Sequence, residues 1–367
     1  MRIVVKAFAL FVVANVIFVV ANPLPMLGRI SGYNTLWAGR LRLPYADAPD
    51  KAYSLTLDSL DAMFASHEIS RSKPGDEYRV VLIGDSSTWG WLLHNDDTLA
   101  GQLNARDLKS EDGRNMRFYN LGYPIMSLAK DVLILNRALG YQPDMVIWLT
   151  TLESFPPDKQ LTHPLLLANI DEVRGLGLKE SPTEFITPCA YGLSSLFCQS
   201  PLWSRNILAR RRDLADMLRL QLYGPLWEAT GIDQEYPRDY ERAARDYEAD
   251  DSFHGLRPPT LASGDLAFGQ LDKGIQLTQA KRVQIIIVNE PILISTGRNS
   301  DLRYNFFYPR WAYDQYRAKL TAHVQALGVH FVDAWDLVPA DEFTNSAVHE
   351  SPIGVHRFSE KILQNLK

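Results

Sequence analysis

Residues 79–90 read Arg-Val-Val-Leu-Ile-Gly-Asp-Ser-Ser-Thr-Trp-Gly. The run from Val80 to Ile83 is aliphatic and has no polar alternation, which is typical of a parallel strand that is covered on both faces. Gly84 ends this run and lets the chain turn sharply. Ser86 therefore falls at the carboxyl end of a strand, where open α/β sheets hold their reactive groups.

Farther along the chain, apolar strand-like runs alternate with amphipathic stretches, which is the pattern of a parallel sheet with crossover helices. It predicts an α/β fold, a three-layer α/β/α sandwich around a central parallel five-stranded sheet of the flavodoxin-like type. The expected strands are 79–84, 117–121, 145–150, 283–289 and 329–333. The expected helices are 99–107, 128–139, 266–280, 311–327 and 354–366.

The interval between the third and fourth strands is too long for a loop, so residues 156–262 are expected to form a largely helical insertion. Within it, residues 202–223 have the pattern of an amphipathic helix, and 236–247 are charged and rich in tyrosine. The latter stretch suits a surface helix or a contact with a partner. Leucine-rich runs at 165–167 and 193–197 suit an apolar lid, although such runs more often belong to the core.

The first 22 residues form a separate unit of the sequence. From Ile3 to Ala21 the only charge is Lys6, and nineteen residues at about 1.5 Å each nearly match a hydrocarbon core of about 30 Å. This predicts a transmembrane anchor, with a cleavable signal as the alternative. Arg2 and Lys6 would stay cytoplasmic and the rest would be exported, through a juxtamembrane connection at 23–75 to a main domain at 76–367.

Composition excludes several classes of protein. The 367 residues are 46% hydrophobic and 22% charged, and the formal net charge of −5 argues against binding nucleic acid. The basic run 210–212 has acidic neighbours and is typical of a solvated helix face. Cys189 and Cys198 would form a local disulfide after export, or else remain free thiols. Their spacing does not suit zinc, and we expect neither a metal nor another cofactor.

A second motif lies near the C-terminus, where residues 343–354 read Phe-Thr-Asn-Ser-Ala-Val-His-Glu-Ser-Pro-Ile-Gly. Together with the Gly-Asp-Ser motif at 84–86, it makes the chain resemble the SGNH/GDSL hydrolase family. The resemblance implies that Ser86 is the nucleophile, supported by Gly84 and Asp85, and that His349 is its base. The remaining histidines are expected to be structural: His67, His94, His163, His254, His323, His330 and His356.

The third member of the implied triad departs from the family pattern. The usual aspartate falls at Asn345, whose amide oxygen can orient an imidazole without supplying a negative charge. Asp333, Asp336 or Asp341 could substitute for it, whereas Glu350 would point elsewhere in an extended segment. We favour a dyad of Ser86 and His349 assisted by Asn345.

Oxyanion donors are expected from three places. The resemblance implies the Ser86 N–H and a glycine after the second strand, which matches Gly122, with an N–H expected to be free. The family's third-block asparagine is missing, so a hydroxyl of Thr151 or Ser154 would have to donate. Glu153 would repel an oxyanion unless it is protonated or turned away.

The resemblance implies an extracytoplasmic serine esterase, with an O-acetyl ester on a surface polysaccharide or cell-wall polymer as the expected substrate. An O-acyltransferase would use the same residues but exclude water. A non-catalytic glycan-binding or assembly protein on the same fold is the contrasting alternative, motivated by Asn345 and by the missing asparagine. A membrane-surface lipase would need the apolar lid.

Overall fold

A computed structural model describes residues 1–45, 57–178, 205–230 and 240–366. Its five parallel strands lie in the order β2-β1-β3-β4-β5. They are β1 (Glu77–Ile83), β2 (Asn115–Asn120), β3 (Met145–Thr150), β4 (Gln284–Asn289) and β5 (His330–Asp333). All five were predicted from the sequence, and the flavodoxin-like fold class is confirmed.

The described helices are numbered in chain order. Before β2 they are α1 (Arg2–Ala21), α2 (Leu24–Gly28), α3 (Leu60–Ser66), α4 (Ser86–Trp89) and α5 (Leu99–Asn104). Between β2 and β4 they are α6 (Leu128–Ala138), α7 (Pro164–Ala168), α8 (Ile170–Gly175), α9 (Arg211–Leu222), α10 (Gly224–Thr230) and α11 (Phe268–Ala280). After β4 come α12 (Arg310–Ala326) and α13 (Pro352–Leu363).

The strands bury both faces, as their aliphatic runs predict. In β1, Val81 and Ile83 belong to one core cluster, while Val80 and Leu82 belong to another. The first cluster includes side chains of α3, α6, α11 and α12, and the second includes side chains of α5 and α13. Helices therefore cover the sheet on two sides, and the carboxyl ends of the strands remain as the edge at which loops gather.

The described part of the 156–262 interval contains helices and irregular chain. The expected helix over 202–223 begins only at Arg211, and residues 202–204 lie outside the described ranges. A surface helix at 236–247 is wrong for the described residues 240–247, which form no helix; 236–239 are outside them. In the predicted lid run 165–167, Leu165 and Leu166 are buried in the core and Leu167 is exposed, so the run forms no continuous apolar lid. The run 193–197 and both cysteines lie outside the described residues.

Helix α1 differs from every core helix. It is 20 residues long with a mean hydropathy of 2.7, and only 6% of its most apolar stretch is buried. A core helix of similar composition would be buried, so membrane anchor and signal sequence are the two assignments that fit. The division of the chain at residues 22 and 75 stays a prediction.

The connection after α2 is tied to the main domain by Arg42, whose side chain is 2% exposed. Its guanidinium donates to the carbonyls of Gly90 at 2.8 Å and Leu93 at 3.0 Å. Its charge also lies 4.5 Å from the centre of the Trp89 ring. The segment that follows α1 and α2 is thus hydrogen-bonded to the loop after α4, the short helix that begins with Ser86.

Candidate active site

Ser86 is the first residue of α4, at the carboxyl end of β1. Asp85 caps this helix by accepting the Ser87 N–H at 2.8 Å. A Cβ at position 84 would lie 2.1 Å from Oγ1 of Thr88, so glycine is needed here for close packing against the helix. This corrects the sequence-based reason, which was a sharp turn.

His349 is held by a short two-stranded loop. Phe343 and Glu350 form an antiparallel bridge, and the Thr344 N–H donates to the His349 carbonyl at 2.8 Å. The segment after Tyr240 braces this loop, because the Ala243 N–H donates to the Thr344 carbonyl at 2.9 Å. Part of the expected insertion therefore supports the histidine loop.

The structure brings Ser86, His349 and Asn345 together. His349 Nε2 lies 2.8 Å from Ser86 Oγ, and His349 Nδ1 lies 2.8 Å from Asn345 Oδ1. In the tautomer that satisfies both bonds, Nδ1–H donates to the amide oxygen and Nε2 accepts the serine proton. The arrangement is that of a nucleophile, a base and a group that orients the base.

The other candidate acids lie elsewhere. Asp333 accepts from Arg317 at 2.7 Å and from the amide of Asn289 at 2.9 Å. Asp336 and Asp341 are exposed. No carboxylate therefore contacts the imidazole among the described residues, and Asn345 alone takes the third position.

The imidazole of His349 is held neutral. Burial lowers its pKa to about 3, and Asn345 supplies no charge to oppose this. The Trp91 ring stacks on it with centroids 5.9 Å apart. His349 can therefore accept a proton at neutral pH, but the imidazolium formed is poorly stabilised.

Of the three expected oxyanion donors, the Ser86 N–H fits best, because it begins a helix and no acceptor for it is found in the described ranges. The prediction of a free Gly122 N–H is wrong, since it donates to Asn120 Oδ1 at 3.0 Å. The Thr151 hydroxyl is bonded to the Tyr308 hydroxyl at 2.8 Å. Either group would have to share or exchange its bond to serve an oxyanion.

Glu153 is paired with Lys159 and His254. It accepts from Lys159 at 2.5 Å and from His254 Nε2 at 3.0 Å, and the latter bond is the main influence that opposes burial and lowers the Glu153 pKa. His254 therefore has a definite structural role, in keeping with the sequence-based expectation. Ser154 is buried and its carbonyl accepts from Gln160.

A buried lysine ties two site loops together. The Lys130 ammonium is fully buried and donates to the carbonyls of Gly84 at 2.7 Å and Tyr123 at 3.1 Å. Its counter-ion is Asp131 at 2.5 Å, which also accepts from the Trp148 indole at 3.1 Å. The loop before Ser86 and the loop after Gly122 are thereby fixed to the same cation.

Three buried carboxyl groups lie near Ser86: Asp85, Glu290 and Glu350. Glu350 Oε2 accepts from the Ser87 hydroxyl at 3.0 Å, away from the imidazole, as an extended segment predicts. Burial raises the Glu350 pKa to about 8. Burial, followed by the charge of Asp85, raises the Glu290 pKa well above its ordinary value.

Asp85 and Glu290 are both buried, and the charge of Asp85 acts on Glu290. Neither carboxyl oxygen of Glu290 meets an N–H or O–H donor among the described residues. Two carboxyl groups that share a buried site disfavour each other's charged form, so one of them is held neutral. Because Glu290 is the more strongly shifted, we assign the proton to it and the charge to Asp85.

Sequence reasoning missed Lys130 and Glu290. One signal was available for the lysine, because Lys130 and Asp131 interrupt an otherwise apolar helical run, Leu128–Leu135, as adjacent opposite charges. Such a pair at core-facing positions indicates a buried ion pair. Glu290 directly follows the apolar strand β4, at the same edge as Ser86, and this position was the only hint of its role.

Comparison with solved structures finds distant likenesses. A member of the lipolytic G-D-S-L family from Veillonella parvula is 10% identical, covers 78% of this chain and 96% of its own, and has a TM-score of 0.36. A GDSL-like lipase from Bacteroides thetaiotaomicron is 12% identical, with 81% and 91% covered and a TM-score of 0.37. A carbohydrate acetylesterase from Sinorhizobium meliloti is 12% identical, with 78% and 96% covered and a TM-score of 0.35.

No family model matches the sequence, and no curated protein matches it. At TM-scores below 0.5 the likenesses are distant, and the functional assignment rests on the geometry of the site.

Gly122→Ala is expected to slow labelling of Ser86 by a fluorophosphonate about a hundredfold, because small displacements of a nucleophile have effects of this order. The new Cβ would lie 2.4 Å from the backbone nitrogen of Trp89 and push α4 away. Gly140→Ala is the matched control, since its Cβ meets nothing within 4 Å. Equal labelling rates for the two variants would contradict the proposed packing.

Glu350→Gln is expected to gain stability relative to the parent as pH rises from about 4.5 to 8. In this range Glu350 takes up a proton on folding, which costs at most about 1.4 kcal/mol per pH unit, and glutamine removes that cost while still accepting from Ser87. The measurement is the urea midpoint across this pH range, with Glu111→Gln as the surface control. A pH-independent difference between Glu350→Gln and the parent would refute a protonated Glu350.

Asn345→Asp is expected to accelerate fluorophosphonate labelling at neutral pH by about tenfold or more, because a carboxylate stabilises the imidazolium. With the His349 pKa at about 3, parent labelling should persist well into the acid range. In the Asn345→Asp variant, the acid limb of the profile of labelling rate against pH should move to higher pH. Asn345→Ala is the control and should label more slowly than the parent; an acid limb that stays in place would show that Asn345 does not control the base.

Proposed function

We propose that this chain is a serine esterase that hydrolyses a carboxylic ester through an acylated Ser86. The observation that carries the proposal is the continuous chain of two 2.8 Å contacts from Ser86 through His349 to Asn345. A serine hydroxyl is a weak nucleophile unless a base lies within hydrogen-bond distance, and here one does.

In the proposed reaction, Ser86 Oγ attacks the ester carbonyl while His349 Nε2 takes its proton. The Ser86 N–H stabilises the tetrahedral oxyanion, with Gly122 and Thr151 as further donors if they exchange their present partners. His349 returns the proton to the departing alcohol as the carbon–oxygen bond breaks. Water then attacks the acyl-serine with the same help, and releases the acid and free Ser86.

The finer part of the proposal concerns place and substrate. The catalytic domain would be extracytoplasmic and anchored by α1, which leaves Arg2 and Lys6 in the cytoplasm. Support for an uncleaved anchor comes from the Ile207 N–H, which donates to Asn15 of α1 at 3.0 Å, a contact that cleavage would remove. An O-acetyl ester on an exported polysaccharide or cell-wall polymer is the proposed substrate.

The Trp91 ring supports a glycan ester. It is partly exposed beside His349 and offers a flat apolar surface next to the reacting serine. Such a surface suits the apolar face of a sugar ring or a short acyl group. Transfer of the acyl group to a second hydroxyl would use the same acyl-enzyme, with an acceptor alcohol in place of water.

Hydrolysis of p-nitrophenyl acetate and butyrate by the full chain in detergent tests this function. We expect turnover that falls by about a thousandfold or more in both Ser86→Ala and His349→Ala, because the two residues act as one unit. Ser110→Ala, a change at a surface serine remote from the motif, is the matched control and should keep full turnover. Parent turnover no greater than that of the two site variants would favour a non-catalytic glycan-binding role.

A further inference from the structure

Large exposed apolar side chains are concentrated in two segments next to α1. Outside that helix, most of those in the described ranges follow α1 directly or belong to the region of α9 and α10. We call this set the anchor-proximal surface: Met26, Ile30, Leu36, Leu208, Leu218, Leu222, Tyr223 and Leu226.

The two segments pack against each other and form one surface. The Gly32 N–H donates to the Gln221 side chain at 2.8 Å, and the Tyr33 hydroxyl donates to the Leu220 carbonyl at 3.1 Å. Tyr33 is buried beneath the junction of α9 and α10, where Gly224 lies against its hydroxyl. The exposed apolar groups therefore belong to a folded unit.

Helix α9 has two apolar faces. Met217 and Leu220 face the protein, whereas Leu218 is 60% exposed and Leu222 is 58% exposed. A spacing of four residues places the exposed pair on one side of the helix. In a soluble protein the outward face of a surface helix is normally polar, so this stripe is suited to an apolar environment.

Charge around the stripe is suited to a lipid surface. Arg211 and Arg212 are exposed at the start of α9, and Arg211 lies on the side of Leu218 because seven residues are close to two helical turns. Asp213 and Asp216 are only partly exposed and pair with Arg210 and Arg219, respectively. Arginines that border an apolar stripe are the pattern of helices that lie in the headgroup region of a bilayer.

The depth of the surface follows from its contact with α1. The Ile207 N–H donates to the side chain of Asn15, which lies six residues before the end of α1 at Ala21. At 1.5 Å per residue this is about 9 Å along the helix axis, close to the 5–10 Å to which interfacial helices sink into a bilayer. The neighbouring Leu208 is 55% exposed at this level.

We propose that the anchor-proximal surface is embedded in the outer face of the bilayer that α1 crosses, with lipid as its partner. The proposal rests on the anchoring proposed above. As a consequence, the catalytic domain would be fixed relative to the bilayer. The same segment continues to Arg42, which is hydrogen-bonded to the loop after α4. Tyr45 then packs against Trp91, the ring that stacks on His349.

Site-specific photo-crosslinking of the full chain tests the proposal. The chain is reconstituted in vesicles of phosphatidylethanolamine and phosphatidylglycerol, with p-benzoylphenylalanine replacing Leu222, Phe11 or Leu327 in separate variants. Phe11 lies within α1, and Leu327 is an exposed leucine after α12, remote in sequence from the surface. Lipid adducts are then counted by mass spectrometry of the isolated protein.

We expect lipid adducts at positions 11 and 222, with about tenfold fewer at 327, as interfacial burial of the α9 stripe requires. Adducts at 11 but none at 222, or adducts at 222 to protein alone, would overturn the embedded surface and leave the anchor intact. Absence of adducts at both 11 and 222 would overturn the anchor together with this proposal. In each case the esterase assignment is tested separately by turnover.

Discussion

The structure of the site depends on one buried cation. The Lys130 ammonium bonds the carbonyls of Gly84 and Tyr123, and so joins the ends of β1 and β2 beneath Ser86. A buried ammonium is stable only with its partners in place, since removal of one partner from such a group costs about 3–5 kcal/mol. The position of Ser86 and the folding of the core therefore depend on the same buried ammonium. Asp131 accepts from it and from the Trp148 indole.

The buried carboxyl groups extend this arrangement across the sheet. Asp85 follows β1 and Glu290 follows β4, yet the charge of Asp85 raises the Glu290 pKa across the end of β3, the strand between them. Glu350 reaches the same region from the histidine loop and holds the Ser87 hydroxyl. Elements distant in sequence are thereby fixed to the short helix that carries Ser86. The burial that keeps Glu290 and Glu350 neutral also lowers the His349 pKa, so the site gains rigidity and loses basicity.

Much of the fold could be predicted from sequence because the three inner strands, β1, β3 and β4, carry buried and largely aliphatic runs, and 145–150 matches β3 to the residue. Ser86, His349 and Asn345 were predicted together because the two short motifs that contain them carry the resemblance to the SGNH/GDSL family. The Gly122 hydrogen bond was missed although it is local, because Asn120 accepts from a backbone N–H only two residues on. The neutral state of Glu290 could not be predicted, since it depends on which side chains are buried together across the sheet. The exposed apolar stripe of α9 could not be predicted from sequence either. Periodicity shows that a helix is amphipathic, but not that its second apolar face is left exposed.

The central claim is that Ser86, activated by an imidazole that only an amide supports, forms an acyl-enzyme. Rapid acid quenching of the full chain with p-nitrophenyl acetate, followed by peptide mass mapping, tests it most directly. The account predicts an acetyl group on Ser86 and none on the neighbouring Ser87, whose hydroxyl is committed to Glu350. Acetylation that is absent from Ser86, or that persists there unchanged in His349→Ala, would contradict it.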